Sequence, residues 1–150
     1  MTLLALVDRC RRQGDLQPLV ASIPYARFLG IEARVDERGL VTVLEFRDTN
    51  IGNPAVPALH GGVVGALLET AAILELLWQH EAVEVPKIIN ITVDYLRPAG
   101  LTETHARALI TKQGRRIANV SCKAWQHNES RLIASAECHF LLPEVAEEPG

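Results

Sequence analysis

PALHGGVVGALLE, residues 57–69, joins a His-Gly-Gly turn to a long apolar run, and that run carries a carboxylate, Glu69. The run continues from Val63 to Trp78, broken only by Glu69, Thr70 and Glu75. It is too short and too charged for a membrane span, so the pattern predicts a buried core helix over residues 62–80. Such a helix is apolar nearly all round, so it needs cover on more sides than one sheet supplies. That cover comes from a second subunit or from the chain's own first helix and loops.

Around this helix the pattern is mostly strand. Residues 2–13 place Leu3, Leu6 and Val7 at helical spacing beside a basic face, and Pro18 and Pro24 punctuate the next stretch. PYARFLG, residues 24–30, reads as a short helix with Pro24 in its first turn and Gly30 as its C-terminal cap. Strands are expected at 31–36 and 40–46, with the Asn-, Gly- and Pro-containing residues 47–59 as a loop. After the helix come strands at 88–98, 102–112, 115–126 and 131–142. Their apolar faces are Thr104/Ala106/Ala108/Ile110, then Ala118/Val120/Cys122/Ala124, then Leu132/Ala134/Ala136/Cys138/Phe140. Short turns join the last three, which implies antiparallel pairing. The outcome is an α+β layer arrangement: a curved antiparallel sheet with one long helix against its face. Residues 143–150, PEVAEEPG, read as a disordered tail.

Composition narrows the function. The chain has 150 residues, 48% apolar and 22% charged, with a net charge of −3. That is the balance of one soluble domain, with no field to draw it to nucleic acid or a membrane. Three cysteines without CxxC spacing fit a reducing cytoplasm better than a disulfide framework. There is no GxSxG elbow, HExxH, P-loop or EF-hand loop, and the histidines form no ligand spacing, so no metal site is expected. Cys138 and His139 are adjacent on a strand and point to opposite faces, so they form no dyad.

The helix entrance and Glu69 remain. A helix N-terminus offers free N–H groups and partial positive charge, and glycines there let a ligand approach the backbone. This suits an anion, or a carbonyl oxygen becoming one; the plainer reading is a tight turn with His60 as a cap. Glu69 has Gly65, Ala66, Ala72 and Ile73 as its helical neighbours, none of which can pair with it. If buried, its pKa would rise and it would become a better base; the plainer reading is a carboxylate reaching solvent or an arginine. Glu75 lies on another face, as a solvated or bridging residue. From Gly61 to Glu69 is roughly 12 Å along a helix. If both groups do chemistry on one carbon, the site is shared between two subunits.

PYARFLGI (24–31), HGGVVGALLE (60–69), ITVDYLRPA (91–99) and a Gly114-Arg115-Arg116 hairpin into two alternating strands together resemble the hotdog-fold acyl-CoA thioesterases of the phenylacetate-pathway (PaaI) type, within the 4-hydroxybenzoyl-CoA thioesterase superfamily. The resemblance covers residues 24–142. It implies a single domain over residues 1–142, in which a curved antiparallel sheet wraps one central helix and residues 1–23 are an N-terminal helical extension. It implies a homodimer at minimum and a homotetramer in the full assembly. By position, Gly61 polarises the thioester carbonyl, His60 orders the turn, and Glu69 of the facing subunit is general base or nucleophile. The family's Asn or Gln six residues before the His falls on Pro54 here, so Asn53 takes that role, with Asn50 behind it. Gly62, Arg97, Lys112, Arg115 and Arg116 are the candidates for holding coenzyme A, the cations meeting its phosphates. The chemistry needs no cofactor beyond the CoA of the substrate, because a thiolate leaves readily and an oxyanion donor with a carboxylate acting on water suffices. Two alternatives stand beside hydrolysis: a hotdog protein that binds acyl-CoA or acyl carrier protein without turnover, and an enoyl hydratase or dehydratase. The residues do not choose between aliphatic and aromatic acyl groups.

Overall fold

The Gly-Gly turn opens a helix, α4 (Gly61–Gln79), of 19 residues. In the computed structural model, residues 1–79 and 84–143 are described. The expected tail lies outside them except for Pro143, as does His80. Val64, Leu67, Leu68, Ala71, Ala72, Leu74, Leu76 and Leu77 are buried along α4. The expectation that this run is too short and too charged to span a membrane is corrected: by length and apolarity alone α4 would qualify. It is the burial of those eight side chains in the protein core that makes it a core helix.

Three short helices precede the first strand: α1 (Leu3–Gln13), α2 (Gln17–Ser22) and α3 (Pro24–Leu29). The strands are β1 (Ile31–Asp36), β2 (Gly39–Leu44), β3 (Ile51–Asn53), β4 (Val56–Leu59), β5 (Lys87–Tyr95), β6 (Thr104–Gln113), β7 (Ile117–Trp125) and β8 (Ala134–Leu141). Six form one antiparallel sheet in the order β1-β2-β6-β7-β8-β5. Its inner face is built from small residues: Ala106, Ala118, Ala124, Ala134 and Ala136 are all buried. They let the leucine-rich helix lie close, with Phe140 and Val120 filling the remaining volume. The expected inward faces of β6, β7 and β8 are observed, with one correction. Leu132 lies before β8 and packs instead with Val41, Val43 and Trp125 in a separate cluster.

Three further expectations are corrected. Pro18 does not break the chain; it occupies the first turn of α2, where its missing N–H costs nothing. Residues 47–59 are not a plain loop but a 3-10 turn (Asp48–Asn50) followed by the β3–β4 hairpin. The Asn53 side-chain oxygen accepts the Ala55 N–H at 2.9 Å, and this Asx turn carries the chain past Pro54. The second strand stops at Leu44, and Phe46 packs on the core from beyond it.

α3 ends as expected on Gly30, whose φ of 83° is left-handed. A Cβ there would also stand 2.7 Å from Arg47 Nε, a side chain that can shift, so it is the left-handed backbone that favours glycine. The N-terminal helices supply cover for α4 that the sequence left open: Val7, Cys10, Leu16, Leu19 and Val20 join the same core. Arg11 donates through Nε to the Leu77 carbonyl at 3.0 Å, a cation at the helix C-terminus. Among the residues of α4 that are not fully buried, Ala66, Glu69, Thr70 and Ile73 form one half-open strip by their spacing.

Candidate active site

His60 caps α4 with its ring. Its Nδ1 accepts the Gly62 N–H at 2.8 Å. Its carbonyl accepts from Val63 and Val64, and its own N–H donates to the Asn50 carbonyl at 2.8 Å. An imidazole is bulkier than the usual capping side chains, and the glycines make room for it. A Cβ on Gly62 would stand 2.9 Å from His60 Nδ1, and one on Gly52 would stand 2.9 Å from His60 Cα. Gly61 is tight against another ring: its Cβ would meet the Tyr95 ring at 3.3 Å. Among the described residues the Gly61 N–H has no hydrogen-bond partner. It opens on a cleft of about 270 Å³ lined by Leu59, Tyr95, Arg97 and Ile133 among others.

Glu69 stands on the half-open strip of α4. Its carboxylate has no hydrogen bond or ion pair among the described residues. It borders a second cleft, about 250 Å³, whose wall is apolar: Ile23 and Tyr25 from α3 and the turn before it, Ala66 and Ile73 from α4. Thr70 also lines this cleft, its hydroxyl already donating to the Ala66 carbonyl at 2.7 Å. Gly61 and Glu69 therefore open on different clefts of one chain.

The other expected residues are dispersed. Asn53 is exposed, lines neither cleft, and spends its oxygen on the hairpin turn. Asn50 is 2% exposed, and its amide donates to the Leu29 carbonyl at 2.9 Å, which makes it a tie between α3 and the helix entrance. The Gly62 N–H is taken by His60, so this glycine contributes space. Arg97 shares the Gly61 cleft and is steadied there by the Leu132 carbonyl at 2.6 Å. Lys112, Arg115 and Arg116 line a separate cleft at the β6–β7 hairpin. Tyr95 pairs with Ala134, whereas Ile117 and Lys87 both pair with Leu141, so that hairpin sits at the opposite end of the sheet from Gly61.

Two features escaped the sequence. Tyr95 donates its hydroxyl to the Gly61 carbonyl at 2.8 Å, a contact across 34 positions that no local pattern signals. Glu75 is half-buried, and desolvation raises its carboxyl pKa against a lowering hydrogen bond from Gln79. The Cys122 thiol is pushed up by its contact with Cys138 and by burial, which holds it as a thiol rather than a nucleophile. Among the described residues no three His, Cys, Asp or Glu side chains group to hold a metal.

The profile of the family described as the acyl-CoA thioesterase N-terminal domain matches residues 51–142, from β3 through the end of β8. The chain belongs to the acyl-CoA thioesterase family. It is similar to the medium/long-chain acyl-CoA thioesterase YigI of Salmonella typhimurium, 29% identical over 138 residues, with 82% of this chain and 88% of that protein covered. Among solved structures it is similar to a protein of Chromobacterium violaceum, 38% identical, with a TM-score of 0.75 and 91% and 96% of the two chains covered. A thioesterase of Haemophilus influenzae is 25% identical, with a TM-score of 0.74 and 88% and 90% covered. The architecture is thus that of a hotdog thioesterase, and the chain is an acyl-CoA thioester hydrolase by family. In this thioesterase the matched span contains both Gly61 and Glu69.

Proposed function

We propose that the protein hydrolyses acyl-CoA thioesters at a site assembled from the Gly61 entrance of one protomer and Glu69 of another. The observation that carries this reading is that a helix-entrance N–H without a partner and a carboxylate without a partner face different clefts of one chain. The Gly61 N–H donates to the thioester carbonyl oxygen, and that bond strengthens as the oxygen gains charge. Glu69 takes a proton from water, whose oxygen attacks the carbonyl carbon. The tetrahedral intermediate collapses, the C–S bond breaks, and CoA leaves as the thiolate with the acid as co-product. Direct attack by Glu69 on the carbonyl carbon is the second route: CoA leaves as the thiolate, a mixed anhydride forms, and water hydrolyses it to the free acid and the carboxylate.

The apolar cleft beside Glu69 supports an aliphatic acyl chain as its occupant. The substrate named for the YigI relative is of medium to long chain, and we carry that class to this protein. The half-open strip on α4 and the β5 edge of the sheet, each uncovered within the chain, support a homodimer, with a homotetramer as the full assembly. Antiparallel pairing of two β5 edges would set the Tyr95 end of one strand against the Lys87 end of the other, bringing the partner's basic hairpin end toward the Gly61 entrance. Three unbridged, buried cysteines support a cytoplasmic setting.

The test is thiol release from acyl-CoAs of short, medium, long and aromatic acyl groups. Turnover is expected on the aliphatic series, and Glu69→Gln is expected to lose about 100-fold or more in kcat without loss of folding. Background rates on every thioester, or full activity in Glu69→Gln, would overturn the reading. Ligand-induced thermal stabilisation without hydrolysis would assign the protein to acyl-CoA binding instead.

A further inference from the structure

The peptide unit between Gly61 and Gly62 is held from both sides by side chains. Its N–H, belonging to Gly62, donates to His60 Nδ1 at 2.8 Å. Its carbonyl, belonging to Gly61, accepts the Tyr95 hydroxyl at 2.8 Å. The Tyr95 ring lies against Gly61 so closely that a Cβ there would come within 3.3 Å of it, and its hydroxyl is 3.5 Å from where a Cβ on Gly65 would stand. Gly61 is therefore shaped to the ring, whereas a Cβ on Gly65 would make ordinary contact with the hydroxyl. The residue whose N–H is left unpartnered is the one whose carbonyl Tyr95 grips.

We infer that Tyr95 is a positioning residue for hydrolysis: by holding the Gly61 carbonyl it restrains the backbone torsions of Gly61, and through them the direction of the Gly61 N–H in the preceding peptide unit. This rests on the proposed role of Gly61 as oxyanion donor. An oxyanion donor is effective only when it is aimed before charge develops, because reorientation during the reaction costs part of what the hydrogen bond supplies. Glycines in a first helical turn are the residues freest to reorient. His60 reaches the peptide from the preceding residue and holds its N–H side. Tyr95 reaches it from the end of β5 and holds its carbonyl side. Together they tie the entrance of α4 to the edge strand of the sheet. The ring also walls the cleft onto which Gly61 opens, beside Arg97, so hydroxyl and ring have separable duties.

The test is Tyr95→Phe, which keeps the wall and deletes the hydroxyl, assayed on the acyl-CoA that the wild type turns over best. The expected result is a fall in kcat of about two- to tenfold, the worth of one hydrogen bond, with KM unchanged. Amide exchange should rise at Gly62 while Leu67 and Leu68 stay protected, which separates a local loosening from a loss of fold. Unchanged kcat, or a raised KM at constant kcat, overturns the inference; the latter would mean that the hydroxyl touches substrate. Gly61→Pro in the same assay keeps the two claims apart. If it abolishes turnover while Tyr95→Phe is silent, Gly61 keeps its role and Tyr95 loses this one. If Gly61→Pro is fully active, the donor reading itself fails.

Discussion

Gly61 and Glu69 are on one helix, yet each opens on its own cleft, Gly61 beside Tyr95 and Arg97 and Glu69 beside Ile23 and Ile73. Eight residues at about 1.5 Å each place them about 12 Å apart along the axis, further than one glutamate side chain reaches, so one chain does not bring both groups to one carbon. For this reason the proposed site is divided between protomers.

The helix cap has a measurable worth. Gly62→Ala would put a Cβ 2.9 Å from His60 Nδ1, so the ring must leave and the Gly62 N–H loses its acceptor. A lost cap costs about 1 kcal/mol, or a fall in Tm of about 2–4 °C at this size. Calorimetry on Gly62→Ala and His60→Ala should give similar losses, with little added in the double variant because both remove one interaction.

Ala66→Leu tests the acyl cleft. Ala66 borders the cleft beside Glu69, and the added carbons take up space there. Hydrolysis of long-chain acyl-CoA should fall about tenfold or more relative to short-chain. An unaltered chain-length profile, measured as kcat/KM, would remove the acyl group from this cleft.

Arg97 shares the Gly61 cleft and is exposed. If it meets a CoA phosphate, Arg97→Ala should raise KM for acyl-CoA by up to about fivefold, the scale of an exposed ion pair, and less at high salt. Acyl-pantetheine, which lacks the nucleotide phosphates, should show no such change.

Glu75 gives a pH signature in stability. Desolvation is the largest influence on it and raises its pKa above the ordinary 4.5. A carboxyl raised on folding adds stability that is present below its unfolded pKa and lost as pH rises through its folded one. Near neutral pH the ionised form is therefore a burden. Glu75→Gln should raise Tm at pH 7 by about 1–2 °C, allowing for its partial exposure, and change little at pH 4. An equal shift at both pH values would mean that burial of charge is not the cause.

Much of the architecture was legible in the chain. α4 and the inward faces of β6, β7 and β8 follow from periodicity, because a buried helix and a one-sided sheet leave unmistakable spacing in alanine, valine and leucine. α2 and the β3–β4 hairpin were hidden by prolines. Pro18 enters a helix at the one place where it is harmless, and the Asn53 side chain builds a turn around Pro54 that composition cannot foresee. At the site, His60, Gly61 and Glu69 stand out locally. Tyr95 does not, since its grip on Gly61 depends on the sheet bringing the end of β5 to the helix entrance.

The most direct measurement is complementation in mixed oligomers of Gly61→Pro and Glu69→Gln. Proline deletes the N–H at the first helical position, where a helix tolerates it. Its Cβ also meets the Tyr95 ring at 3.3 Å, so Gly61→Ala, which adds the same Cβ and keeps the N–H, is the control and should retain most activity. Each variant alone should lose about 100-fold or more. After confirmed subunit exchange, half the dimers carry one of each, and every such dimer has one site with both wild-type groups. Recovery to about a quarter of wild-type activity is the expected result. No recovery, with exchange demonstrated, would return both groups to a single chain and contradict the shared site.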